Sequence, residues 1–147
     1  MLQIEFKLAG FKLACCSAFF AIGIHAAPAF AHGDVAPQAV DTKGLEPLGK
    51  EWKTTNPYKD NKKAIEIGKS GYAQNCARCH GLEAVSGGIA PDLRLMPPDA
   101  ETDAYFAETV RKGRTRAGTV YMPPFEGTLS QEAIWAMRTW LNSIHTK

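Results

Sequence analysis

The chain has 147 residues, 17 of them basic and 15 acidic, with 45% hydrophobic side chains and four cysteines. That length bounds it to one small domain plus its appendages. A charge balance so near neutrality gives no global argument for nucleic acid or an anionic membrane as partner.

At the N-terminus, Lys7 and Lys12 flank the start of an apolar run, LACCSAFFAIGI, and the small-residue triplet Ala29, Phe30, Ala31 follows it. This is the pattern of a cleaved export signal over residues 1–31. The run is shorter than the roughly 20 apolar residues that span a bilayer core, and Pro28 closes it, which disfavours a membrane anchor. Cys15 and Cys16 precede most of the apolar run and have Lys12 in their approach, so they are expected to leave with the signal rather than carry lipid. Cleavage also removes His25 and makes His32 the new terminus. The mature chain then has 15 basic and 14 acidic residues and no further long apolar segment, so no stable membrane insertion is expected.

Residues 32–60 contain three prolines, three glycines and no sustained period, which predicts an extended arm, with Trp52, Pro57 and Tyr58 pinning its second half. A first helix is predicted from about Asn61 to the cysteine motif, with Ala64, Gly68 and Tyr72 spaced by four, Ile65 beside them and Asp60 as N-cap. Gly68 and Gly71 both lower helix propensity, so one of them is expected to serve close packing. Residues 81–98 read as loop. A helix over Ala100–Lys112 follows, with Asp99 as N-cap, Phe106 and Val110 facing inward and Gly113 ending it. After the loop 113–128 comes a last helix, in which Ile134, Met137, Leu141 and Ile144 recur every three or four residues; either Thr128 with Gln131 or Ser130 caps it. No run with strand periodicity is evident.

The expected fold is therefore all-α, three to four helices joined by long loops, with little core of its own. A large apolar cofactor, covalently held, would complete such a core.

Residues 75–81, NCARCHG, bear on that cofactor. A thioredoxin-type redox pair needs a strand before the motif and a βαβ surround, and neither is visible. Structural zinc needs four ligands, whereas the mature chain adds only His32 and His145, near its ends, to Cys76, Cys79 and His80. Covalent haem attachment uses every part of the motif. Cys76 and Cys79 on one face add to the two vinyl groups, and His80 presents a ring nitrogen to iron from the same side.

Over residues 62–146 the chain resembles the class I cytochromes c. The resemblance rests on the Gly68, Tyr72, Cys76 spacing, CARCHG, GGIAPDL, YMPPF and an aromatic-bearing last helix with Trp140. It implies a haem domain over 61–147 with a single haem c, Gly68 at a close crossing of first and last helices near Trp140, and the Pro91 carbonyl accepting a hydrogen bond from His80. Three methionines remain for the sixth position. Met137 falls in the core period of the last helix, and Met96 is only 16 residues past His80. Met122, 42 residues past it, has a loop long enough to reach the opposite face, where the family has its ligand, so it is the expected ligand.

With both axial positions filled, the expected function is single-electron transfer without catalysis. The alternative is a haem enzyme or gas-binding sensor with an open or labile sixth position. The stretch RKGRTRAG, 111–118, reads as a helix end that complements the dipole, with an acidic-partner docking patch as the competing reading. Arg78 and Arg94 are candidates for the haem propionates. Across its arm and its PDLRLMPPDAETDAYFAETVRKGRTRAGTVYMPPF stretch the chain also resembles the PedF-type periplasmic cytochrome c of quinoprotein ethanol dehydrogenase systems. That resemblance implies a periplasmic location, a pyrroloquinoline quinone alcohol dehydrogenase as electron donor and a downstream cytochrome or terminal oxidase as acceptor.

Overall fold

The computed structural model describes residues 36–147. The export-signal reading, with Cys15, Cys16 and the cleavage before His32, lies outside the described residues.

Helix α1 spans Lys62–Asn75 and begins where the Asn61 side chain accepts a hydrogen bond from the Ala64 amide at 3.1 Å. The cap is thus one residue later than expected: Asp60 instead takes a left-handed conformation, φ 62°, and turns the chain into the helix. After Cys76 a single turn, α2, covers Ala77–His80. The loop that follows holds one 3-10 turn, Leu93–Leu95. Helix α3 spans Ala100–Lys112, capped by the Asp99 carboxylate on the Thr102 amide at 2.8 Å, with Glu101 and Asp103 in its first turn and Arg111 and Lys112 in its last. Gly113 ends it with φ 69°, and a Cβ there would lie 2.4 Å from the Met122 carbonyl oxygen, so the close approach requires glycine. Helix α4, Gln131–Ser143, is capped by Ser130, whose hydroxyl accepts from the Ala133 amide, so Ser130 rather than Thr128 starts it.

The loop 113–128, expected to lack strands, contains a small antiparallel hairpin, β1 Arg114–Arg116 and β2 Thr119–Met122. Its two connecting residues, Ala117 and Gly118, both have positive φ, the geometry whose twist matches paired strands.

Helix α4 is the centre of the fold: every residue from Ala133 to Leu141 is buried. Helix α1 crosses it at Gly68, where an added Cβ would stand 2.0 Å from the Ala136 carbonyl oxygen. Beside this crossing Tyr72 and Trp140 pack with ring centroids 4.5 Å apart, an arrangement worth about 0.5–1.5 kcal/mol beyond its buried area. Gly68 is therefore the close-packing glycine, and Gly71 meets Val40 of the arm.

A helix buried on all sides yet carrying Gln131, Arg138 and Thr139 must find partners for them inside. The arm, α3 and the loop before α3 provide most of these, while Arg138 Nη1 and Trp135 Nε1 are buried without a partner among the described residues. Gln131 accepts from the Lys53 amide at 2.6 Å and donates to the Glu51 carbonyl at 3.1 Å, and the neighbouring Glu132 accepts from the Leu48 amide. Asn56 donates through its amide to Asp103 and through its side chain to the Thr139 hydroxyl. Arg138 meets Asp103 at 2.7 Å and donates to the Pro97 carbonyl. Leu45 and Tyr58 are buried, the Tyr58 hydroxyl donates to the Glu46 carbonyl, and burial pushes its phenol up to about 12. Trp52 lies 4.1 Å beneath the Arg111 guanidinium. Residues 36–60 of the arm form no helix or strand, and Trp52 and Tyr58 pack against the rest of the domain.

Candidate functional site

Cys76 closes α1 and opens α2, and its carbonyl accepts from the amides of both Cys79 and His80 at 3.1 and 3.0 Å. Three and four residues apart on one turn, Cys79 and His80 share the side of Cys76. Cys76 and Cys79 form no disulfide. The Cys76 sulfur lies 3.9 Å from that of Met137, in a setting whose burial, with Cys79 adding to it, pushes the thiol up to about 12. Among the described residues no three His, Cys, Asp or Glu side chains converge as metal ligands.

His80 is held by its Nδ1, 2.9 Å from the Pro91 carbonyl oxygen. A carbonyl only accepts, so Nδ1 carries the proton and Nε2 keeps its lone pair for a ligand bond. Local sequence explains how Pro91 comes to stand there. Gly81, φ 81°, reverses the chain so tightly that a Cβ would lie 2.1 Å from the Val85 carbonyl oxygen. The Tyr72 hydroxyl donates to the Gly81 carbonyl at 2.9 Å, tying this reversal to the α1–α4 crossing. Amide bonds from Ala84 to Gly81 and from Leu93 to Ala84 bring the loop back. Asp92 caps the 3-10 turn through the Arg94 amide and grips the Arg94 guanidinium at 2.6 Å, which lowers its carboxyl to about 2. Arg94, a candidate for a propionate, is thus engaged by Asp92, while Arg78 is exposed.

Met122 stands at the end of β2, half-buried and packed against the core. Its place follows from the close approach of its carbonyl to Gly113 and from the Phe125 amide bonding the Val110 carbonyl at 3.0 Å beyond the two prolines. Met96 is also half-buried against the core, whereas Met137 is fully buried in α4, as its period implied.

The segments bearing His80 and Met122 also carry most of the exposed large apolar side chains. Leu82 (76% exposed), Val85, Ile89 (80%) and Leu95 follow His80, and Val120 and Tyr121 (68%) precede Met122. Two thiols, an imidazole of fixed tautomer, a thioether and two apolar loops are the donor set and surface that a covalently held haem requires. Of the cations in 111–118, Arg111 pairs with Glu126 and Trp52, Lys112 with Glu108, and Arg114 with Thr109 and the Tyr105 ring. Among the described residues only Arg116 of the four has no such contact. The helix-end reading therefore gains over a broad docking patch.

Sequence reasoning missed the Tyr72 hydroxyl on Gly81 and the buried Arg138–Asp103 pair. For the second the available signal was an arginine four residues after Ile134, on the apolar stripe of α4.

Residues 63–141 match the family model described as cytochrome c oxidase, cbb3-type, subunit III. The chain is 62% identical over 121 residues to cytochrome c550 of Pseudomonas aeruginosa, covering 80% of this chain and 83% of that one. It is 34% identical over 79 residues to quinohemoprotein alcohol dehydrogenase ADH IIB of Pseudomonas putida, covering 54% of this chain and 11% of the dehydrogenase. Its fold superposes on the crystal structure of cytochrome cL from Methylophaga aminisulfidivorans with a TM-score of 0.52 and 21% identity, over 69% of this chain and 72% of that one.

Proposed function

The chain belongs to the cytochrome c family, and from that premise we propose that it is a periplasmic carrier taking single electrons from a quinoprotein alcohol dehydrogenase and passing them towards a terminal oxidase. As a monohaem c-type cytochrome of the class I fold it is an electron-transfer protein with one covalently bound haem c, not an enzyme. The bound haem supplies the one-electron iron couple.

In this reading Cys76 and Cys79 would form the thioethers, His80 and Met122 would ligate the iron, and the Pro91 carbonyl would orient His80. The observation that carries the ligand assignment is the 2.9 Å contact of His80 Nδ1 with the Pro91 carbonyl, which leaves Nε2 as the ligating nitrogen. Met122 sulfur is a soft, neutral donor that favours the reduced state. The rigid turns at Gly81 and Gly113 hold each donor segment in one geometry, so little rearrangement accompanies a change of charge. The donor assignment is supported by the similarity to a stretch of the Pseudomonas putida quinohemoprotein dehydrogenase. The export-signal pattern of residues 1–31 supports the location.

Two measurements test this. Optical spectra of the haem-loaded protein should show sharp low-spin bands that carbon monoxide leaves unchanged, and high-spin bands that shift with the gas would remove Met122 as ligand. Reduced quinoprotein ethanol dehydrogenase should reduce the protein rapidly at low salt and more slowly at high salt. With Arg116 the one cation of its loop lacking a partner among the described residues, the salt dependence should be shallow. Absence of reduction at every salt concentration would overturn the donor assignment.

A further inference from the structure

We infer that His145 is a positioning residue for His80: the C-terminal tail latches the loop whose Pro91 carbonyl holds the imidazole. This rests on the reading of His80 as an iron ligand.

Past α4 the chain turns at Ile144 and comes back over the 3-10 turn. There the carbonyl oxygen of Arg94 accepts from two donors of the tail, His145 Nδ1 at 2.7 Å and the Thr146 amide at 3.0 Å. His145 is half-buried in this contact. Two donors on one carbonyl use both of its lone pairs and fix its direction as well as its distance.

Arg94 is three residues from Pro91 and lies within the 3-10 turn Leu93–Leu95, which Asp92, next to Pro91, caps. Asp92 between them is locked twice to Arg94, through the amide at 3.0 Å and through the guanidinium. A few residues on, the buried Arg138 guanidinium holds the Pro97 carbonyl. The loop 91–97 is thus fastened to α4 and the tail at two carbonyls, whereas its outer side is open: Pro91 and Leu95 are exposed. Displacement of Arg94 is transmitted through one short, braced turn to the atom that accepts from His80 Nδ1.

The consequence for the ligand follows from the hydrogen bond. An acceptor held straight on Nδ1–H draws the proton and makes the ring a more basic donor through Nε2, which favours the oxidised iron. A slack loop weakens that pull. Releasing the latch should therefore favour the reduced state.

The test uses the full-length haem-loaded protein as wild type, His145→Ala and His145→Asn, in equilibrium with a redox mediator of known potential. The second readout is the solvent exchange of the His80 Nδ1 proton in the reduced protein, followed by NMR. In His145→Ala the reduced-to-oxidised ratio should rise about threefold at fixed poise, because the partner of the ligand is loosened and not removed, and the Nδ1 proton should exchange faster. The side-chain N–H of Asn stands as many bonds from Cα as His Nδ1, so His145→Asn should return both readouts towards wild type. His145→Ala with wild-type ratio and exchange overturns the inference, even if its melting temperature falls, as do Ala and Asn variants that shift equally. His80 ring protons in the oxidised wild type without the paramagnetic shifts of an iron-bound imidazole would remove the ligand assignment itself, and the inference with it.

Discussion

The surroundings of α4 and the segments bearing His80 and Met122 are built on opposite terms. Around α4 nearly every side chain is buried, and Gln131, Thr139 and Arg138 find partners in the arm, α3 and the 91–97 loop. In the segments 81–96 and 114–122, large apolar residues such as Leu82, Ile89 and Tyr121 lie exposed, and the backbone is set by turns and by glycines with no room for a Cβ. Around α4 the described residues leave Trp135 Nε1, Arg138 Nη1 and Asn142 Oδ1 buried without a hydrogen-bond partner, whereas the two loop segments leave large apolar side chains in water.

The strongest way to break the contrast is to damage the α4 side. Asp103→Ala leaves Arg138 charged and buried without its partner and should cost about 3–5 kcal/mol in denaturant unfolding of the haem-loaded protein, with the optical bands unchanged. Replacing both, as Asp103→Leu with Arg138→Met, should recover most of that loss. Gly68→Ala forces α1 off the Ala136 carbonyl and should cost about 1–3 kcal/mol, measured the same way. On the other side, Ile89→Ser sharpens the comparison. If haem covers the exposed loop, the substitution should destabilise the loaded protein by about 1–2 kcal/mol, and a cost near zero would mean that Ile89 stays in water. The smallest effect is expected of Asp92→Asn, and it depends on pH. Because Asp92 is depressed from 3.8 to about 2 by Arg94, its stabilisation is fully present above the free carboxylate range and lost as pH falls through about 2. The wild-type advantage over Asp92→Asn should be full at pH 5 and shrink between about pH 4 and 2.

Helices were legible where apolar period and caps agreed. Asp99 and Gly113 bracket α3 as expected, and the stripe Ile134, Met137, Leu141 lies inside α4. At the start of α1 two adjacent cap-forming residues competed, and only backbone geometry gives the role to Asn61 and the turn to Asp60. The hairpin was not legible because burial alternation is the readable signal of a strand, and Arg114–Arg116 and Thr119–Tyr121 are all exposed; only Gly118 marked the turn. The motif CARCH announced its own chemistry, since attachment requires those residue types at that spacing. The Pro91 contact entered only through family resemblance, and the tail contact of His145 had no signal at all, because a carbonyl acceptor can belong to any residue.

The crossing at Gly68 also bears on how the chain folds. It joins positions 68 residues apart, Gly68 and Ala136, and every residue proposed to hold the haem lies within the loop it closes. Closing a loop of that size costs about 4 kcal/mol by the (3/2)RT ln n rule. Short-range helix formation cannot repay this before the two helices dock, so this domain should fold more slowly than helical bundles of its size whose neighbours are consecutive in sequence. Once the crossing closes, the segments 81–98 and 113–128 are each tethered at both ends by helices, which limits the entropy left to lose in ordering them.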